Sequence, residues 1–148
     1  MPLTEEVAMS LHDEFTKVDL FRTLPDSVID DVIQGGTTLS KQPGSIVVAQ
    51  GSTDAGFHLI LEGSARVLVN DVPRALIGPG DYFGEMSLID AAPRSATVTA
   101  GPEGVKTFAI SALTFSQLMD ANPQMVRDLV GVLTARIRAI ESSPASGW

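Results

Sequence analysis

Three hydrophobic patterns follow one another along the chain. In residues 3–36, Leu3, Val7, Leu11, Phe15 and Val18 recur at helical spacing, which lays them on one face of an amphipathic helix. Glu5 and Glu6 fall in its first turn, where the positive end of the helix dipole favours acidic side chains. A second, shorter helix is predicted to start around Pro25, whose fixed φ suits a first helical position. It places Val28, Ile29, Val32 and Ile33 on one face, and Gly35-Gly36 ends it.

Residues 37–110 change period. Short β-rich runs appear at 45–50 (SIVVAQ), 57–61 (FHLIL), 65–69 (ARVLV), 75–77 (ALI), 96–100 (ATVTA) and 105–110 (VKTFAI). Between them stand turn residues: Pro43-Gly44, Gly51, Glu62-Gly63, Asn70-Asp71, Gly78-Pro79-Gly80 and Gly101-Pro102. Many short strands at close spacing predict an antiparallel sandwich or barrel. The block has no helical stretch long enough for a βαβ crossover, which excludes a Rossmann-type sheet.

Residues 111–141 return to helical period. Ser111 is placed to cap a short helix carrying Phe115, Leu118 and Met119, and Asn122-Pro123 reads as a cap followed by a first-turn proline. The next helix carries a stripe of Val126, Leu129, Val130, Leu133, Ile137 and Ile140. Such a stripe is ordinarily core, with a dimer seam as the other use of so apolar a face. Residues 142–148 (SSPASGW) read as a flexible tail, leaving 1–141 as one domain.

Composition narrows the chemistry. The 148 residues are 44% apolar and 19% charged, ordinary material for a single globular domain. There is no cysteine, so disulfide scaffolds, thiolate metal sites and cysteine nucleophiles are excluded. His12 and His58 are the only histidines, so no three-His metal site exists within one chain. The net charge is −8, of which residues 1–36 carry −6. An acidic surface repels phosphate backbones and anionic lipid, so no nucleic-acid partner is expected. The N-terminal MPLTEEVAMS lacks a signal-peptide pattern, and no apolar run approaches the ~20 residues that span a bilayer. The expectation is a cytoplasmic protein without membrane insertion.

The informative stretch runs from Gly78 to Val98. A tight Gly-Pro-Gly turn delivers Phe83-Gly84-Glu85, and Gly84, lacking a Cβ, lets a ligand approach its backbone. One helical turn over Glu85–Ile89 would offer unpaired N–H groups at its start, an anion site by geometry and dipole. Arg94 follows at the start of a β run. A guanidinium aimed back at that turn closes a phosphate clamp, to which Ser95 adds a hydroxyl donor.

The segment FGEMSLIDAAPRSATV (83–98) resembles the phosphate-binding cassette of cyclic-nucleotide-binding domains, the family of catabolite activator protein, protein kinase A regulatory subunits and cyclic-nucleotide-gated channels. The similarity extends over residues 18–141, through Leu20-Phe21, Leu24, Pro43-Gly44, Gly51, the FHLILEG run and Gly78-Pro79-Gly80-Asp81. It implies a mainly β fold with flanking helices: an antiparallel, jelly-roll-like β-roll of about eight short strands, with helices before it (1–36) and lid helices after it (111–141).

The resemblance also implies roles by position. Glu85 would accept a hydrogen bond from a ribose 2′-hydroxyl, and Arg94 would pair with the exocyclic phosphate oxygens. Backbone N–H groups around Gly84, Met86 and Ser87, and the Ser95 hydroxyl, would donate to phosphate or sugar. Val98, Leu68 and Leu76 are the expected apolar wall for the base, with Arg136 or Arg138 stacking on it. Serine after the cassette arginine favours cyclic AMP over cyclic GMP. No metal is expected. His58 and His12 read as surface or internally satisfied histidines.

The departures bear on output. The turn after Gly51 reads Ser-Thr-Asp, and the Asn70–Arg74 connection is short. No second basic helix follows Ile140, so the DNA-binding function of the transcription-factor relatives is not carried over. The expected role is a non-enzymatic regulatory domain that couples occupancy to its C-terminal helix and signals to an effector protein or fused domain. Two alternatives stand beside it. One is a degenerate copy of the fold acting as a protein-interaction module. The other is a cupin-type metalloenzyme, for which a second barrel histidine is missing.

Overall fold

The computed structural model describes residues 5–18, 21–22, 24–52, 56–84 and 94–142. Two helices come first, α1 (Glu5–Thr16) and α2 (Asp26–Gly35). They turn Leu11, Phe15, Ile29, Val32 and Ile33 inward, as the spacing predicts, and Phe21 and Leu24 fill the corner between them. Pro25 stands one position before α2 rather than inside it, and its carbonyl accepts from the Val28 and Ile29 N–H groups. His12 lies 3.3 Å from Asp26 across the helix pair.

Six strands follow among the described residues: β1 (Thr37–Lys41), β2 (Ile46–Val48), β3 (Gly56–Val69), β4 (Val72–Ile77), β5 (Tyr82–Phe83) and β6 (Thr97–Ser111). All pairings are antiparallel, in the order β1-β6-β3-β4, with β2 added on β6 and β5 on β3. The fold is thus mainly antiparallel β with flanking helices. The expected runs at 57–61 and 65–69 are one strand, and so are those at 96–100 and 105–110. Continuous β3 and β6 pair from Gly56–Ser111 to Leu68–Thr97, with register shifts at Ile60/Glu62 and Gly63/Ala65. At that bend Gly63 and Gly104 both have positive φ, and a Cβ on Gly63 would run into the Gly104 backbone. Only glycine admits two backbones so close, so the turn chemistry read as a strand break is instead a fold in a long ribbon. Counting each bent strand twice recovers the eight segments expected. β1 and β5 were not anticipated, because TTLSK and a two-residue pair carry too little alternation to register.

The hairpin between β3 and β4 turns on Asn70 and Asp71, both at positive φ. This is the primed two-residue turn that matches strand twist. The Gln50 side chain closes it, donating to Asn70 Oδ1 at 2.9 Å and accepting from the Asn70 N–H at 2.8 Å.

Ser111 ends β6 and caps α3 (Ala112–Ala121), accepting from the Thr114 N–H at 3.2 Å. Asn122 closes α3, donating its N–H and its amide Nδ2 to the Leu118 carbonyl, each at 2.9 Å. α4 (Pro123–Ser142) begins directly after it. Its buried anchor is Met125, outside the predicted stripe, with Leu133 half-buried. Val126, Val130 and Ile137 are exposed, the last two at 57%. Of the stripe, Val126, Val130 and Ile137 thus lie on the surface, while Leu133 packs against the buried cluster that the helices share with Phe57 and Phe108. No helix among the described residues is long and apolar enough to cross a membrane.

Two hydrophobic clusters result. One joins both N-terminal helices and α3 to the outer face of the β3–β6 ribbon through Phe57, Leu59, Phe108 and Ile110. The other fills the roll with Ile60, Ala65, Val67, Ile77, Phe83, Val98, Ala100 and Val105.

Candidate functional site

The turn ahead of the site forms as its residues dictate. Asp81 donates its N–H to the Gly78 carbonyl at 3.0 Å, and its carboxylate accepts from the Gly78 N–H at 2.9 Å. Gly80 supplies the positive φ. Ile60 then clamps the turn from β3, accepting from the Gly80 N–H and donating to the Asp81 carbonyl, each at 2.9 Å. The clamp fixes the register of β5, so that Phe83 sits opposite His58 and Tyr82 opposite Leu59.

Gly84 comes next, at φ +98°. A Cβ there would collide with the Gly56 carbonyl and would stand 2.6 Å from Nη1 of Arg94. The space that glycine leaves is therefore occupied by the neighbouring strand and the guanidinium, a stronger reason for glycine than ligand access alone.

Arg94 reaches this spot from the far end of a long connection. Its N–H donates to the Ser52 carbonyl and its carbonyl accepts from the Gly51 N–H, each at 2.9 Å. Its side chain is only 6% exposed, a burial that charged groups rarely reach without a partner. The structure thus brings Gly84 and Arg94 together, ten positions apart in sequence. Glu85, Met86 and Ser87, with the rest of the turn through Ile89, lie outside the described residues.

The other expected contacts scatter. Ser95 is exposed, next to the buried arginine. Val98 lines the inside of the roll. Leu68 is half-buried, and its neighbour Val67 holds the interior position. Leu76 is a correction: it is 63% exposed and paired with Arg66 on the outer face, while Ala75 and Ile77 turn inward. Alternation along β4 makes these exclusive, and a one-position error exchanges wall for surface. Arg138 is exposed on α4, and Arg136 lies on the same helix.

His58, read as surface or satisfied, is buried beside the site. Its Nδ1 lies 3.1 Å from Thr107 Oγ1, and its ring stacks on Phe83 with centroids 4.8 Å apart. Burial, and secondarily the positive charge of Arg94, pulls its pKa from 6.5 to about 4. The imidazole is neutral at neutral pH. The signal for its burial was the uninterrupted run Phe57–Leu61, since a strand covered on both faces loses its polar alternation. Among the described residues no group of three or more acidic or histidine side chains is placed to hold a metal ion.

Chemically the arrangement is a buried cation beside a glycine at positive φ at the end of a short strand, suited to hold a small anion by charge-assisted hydrogen bonds.

The chain is also similar to known proteins. The family described as cyclic nucleotide-binding domain matches residues 38–122, from β1 to the cap of α3. The chain is 30% identical over 112 residues to a cyclic nucleotide-gated potassium channel of Rhizobium etli, covering 76% of this chain and 31% of the channel. It is 30% identical over 118 residues to the cAMP-dependent protein kinase type II regulatory subunit of Drosophila melanogaster, covering 80% and 31%. A cGMP-dependent protein kinase of Toxoplasma gondii is 28% identical over 103 residues, covering 70% and 10%. The chain thus spans about a third or less of these relatives. Among solved structures, Thermus thermophilus catabolite activator protein superposes with a TM-score of 0.74 at 26% identity, covering 83% of this chain and 60% of that one.

Proposed function

The chain belongs to the cyclic nucleotide-binding domain family, a regulatory ligand-binding fold, and from that premise we propose that it is a cyclic AMP sensor without catalytic activity of its own. The observation that carries the reading is the guanidinium of Arg94, buried against Gly84 at the end of β5. A buried cation is stabilised by an anionic partner, and a cyclic phosphodiester supplies one oxygen pair for it. In this reading Arg94 donates to the exocyclic phosphate oxygens. The N–H groups around Gly84, Met86 and Ser87 and the Ser95 hydroxyl complete the donors, and Glu85 accepts from the ribose 2′-hydroxyl. Each charge-assisted hydrogen bond contributes roughly 1.5–3 kcal/mol, so phosphate and sugar dominate affinity over the base. Val98 and the inner face of the roll supply apolar packing for the base. Serine at position 95 favours adenine over guanine nucleotides.

Occupancy is transmitted to α4. That helix is anchored at Met125 and Leu133 and exposes Val126, Val130 and Ile137, so small changes at its docking end redistribute its positions. Ligand shifts this equilibrium only by the difference between its contacts in the two states, and the anion site supplies that difference.

Calorimetric titration of the full chain with cyclic AMP, cyclic GMP and 5′-AMP tests the reading. Tightest binding is expected for cyclic AMP, weaker for cyclic GMP and none for 5′-AMP. No heat with either cyclic nucleotide overturns it. A second reading, that the fold serves as an interaction module or homodimer through α4, is favoured by the exposure of Val126, Val130 and Ile137. Sedimentation with and without cyclic AMP separates the two.

A further inference from the structure

Among the described residues the buried polar or charged side chains are Arg94, His58 and Thr107, and the nucleotide-binding reading uses only the first. His58 sits in β3 directly opposite Phe83. The two rings lie flat on each other, with planes 5° apart. On its other side the imidazole reaches Thr107 Oγ1 on β6, the residue paired with Ile60 and hence diagonal to His58. The ring is therefore clamped twice, by a face and by an edge, and rotating it forfeits one contact.

β5 needs such a clamp. It is two residues long and held to β3 by two register pairs, so few ladder bonds fix where it ends. The residue after it is Gly84, with a Cβ position 2.6 Å from Arg94 Nη1. A shift of the Phe83 backbone carries Gly84 with it relative to the guanidinium, and the stacked ring resists that shift.

Resting on the nucleotide-binding reading, we propose that His58 is a positioning residue of the anion site: stacked on Phe83 and tied to Thr107, it fixes the Phe83–Gly84 backbone against the Arg94 guanidinium. The position depends first on a flat face against Phe83, and the polar edge toward Thr107 orients that face. Phenylalanine keeps the face but strands the buried Thr107 hydroxyl, and asparagine keeps the bond but has no face to stack. Burial keeps the imidazole uncharged at neutral pH, so Arg94 supplies the counter-charge and His58 supplies geometry.

The test compares wild type, His58→Ala, His58→Phe and His58→Asn as full chains, well below their melting temperatures, by cyclic AMP calorimetry and by the ¹⁵N–¹H position of the Gly84 amide. His58→Ala is expected to weaken binding about tenfold, the scale at which outer-shell partners act on the groups they orient. Its Gly84 amide moves in the ligand-free chain. His58→Phe returns most of the affinity and the amide position, and His58→Asn returns neither. A merely structural role lowers the melting temperature but leaves the Kd of the folded chain unchanged. That result, with an unmoved Gly84 amide, overturns the proposal. If His58→Ala does not fold, His58→Leu, with apolar bulk and no flat face, takes its place under the same expectations. If wild type itself binds no cyclic nucleotide, the binding reading falls and the amide decides alone: displaced in His58→Ala and returned in His58→Phe it supports the positioning role, unmoved it overturns it.

Discussion

Phe15, Phe21, Phe57, Phe108 and Phe115 meet between the helices and one face of the β3–β6 ribbon, with neighbouring ring centroids 5.0–5.6 Å apart. The opposite face of the same ribbon is lined by Ile60, Ala65, Val67, Val98, Ala100 and Val105. The first region packs large aromatic rings and holds no buried polar residue among those described. The second is built of smaller side chains, and His58, Thr107 and Arg94 all lie on its side. Aromatic pairs in edge-to-face contact add packing energy beyond their area, so the helical side holds the fold together. The roll side accepts the cost of burying polar groups. In the reading proposed above, what it gains is a place where an anion meets a fixed guanidinium.

The division has measurable consequences. Phe57→Ala removes a fully buried ring that contacts Phe21, Tyr82 and Phe115. A stability loss of about 3–5 kcal/mol is expected in urea denaturation. A loss below 1 kcal/mol would show that the aromatic cluster does not carry the fold.

Arg94→Ala strikes the other region. Cyclic AMP binding is expected to weaken by about 2–5 kcal/mol in calorimetry, with the far-UV spectrum unchanged. An unaltered Kd would erase the functional half of the contrast.

The regions also differ in pH response. The folded-state pKa of His58 is about 4, below the ordinary 6.5, so between these values the unfolded chain binds more protons than the folded one. The stability this group contributes is complete above pH 6.5 and is lost as pH falls toward 4. Its size is about 3 kcal/mol at one unit per 1.36 kcal/mol. Denaturation of wild type and His58→Phe across that range isolates it, since the carboxylates titrate equally in both. Parallel curves would show that the imidazole is not held neutral by burial.

The smallest effect belongs to the exposed face of α4. Val130→Ser is expected to change monomer stability by no more than about 0.5 kcal/mol, because the side chain is 57% exposed. A larger loss that grows with protein concentration would reveal a partner copy on that face.

Much of this was legible in short windows of sequence. Ser111 and Asn122 mark their helix ends, Asn70-Asp71 turns its hairpin, and Gly78-Pro79-Gly80-Asp81 folds on itself as read. Gly84 and Arg94 were paired by motif, and the chain brings them into contact. Other features were not legible. Leu76 lies on the outer face of β4 rather than in the wall, core and seam cannot be told apart by the period of the α4 stripe, and four of the expected β runs are two bent strands.

The two groups differ in the range of the forces behind them. Caps, primed turns and helical periodicity arise between residues a few positions apart, so composition over a handful of residues determines them. Which face of a strand or helix is covered depends on elements far along the chain. Gly63 bends a strand because Gly104 lies against it, and His58 is buried because Phe83 and Thr107 arrive on either side. Val130 stays exposed because no described element reaches it. The sequence by itself determined the order of elements and the residue types of the proposed anion site; tertiary pairing decided which side chains lie around Arg94 and Gly84.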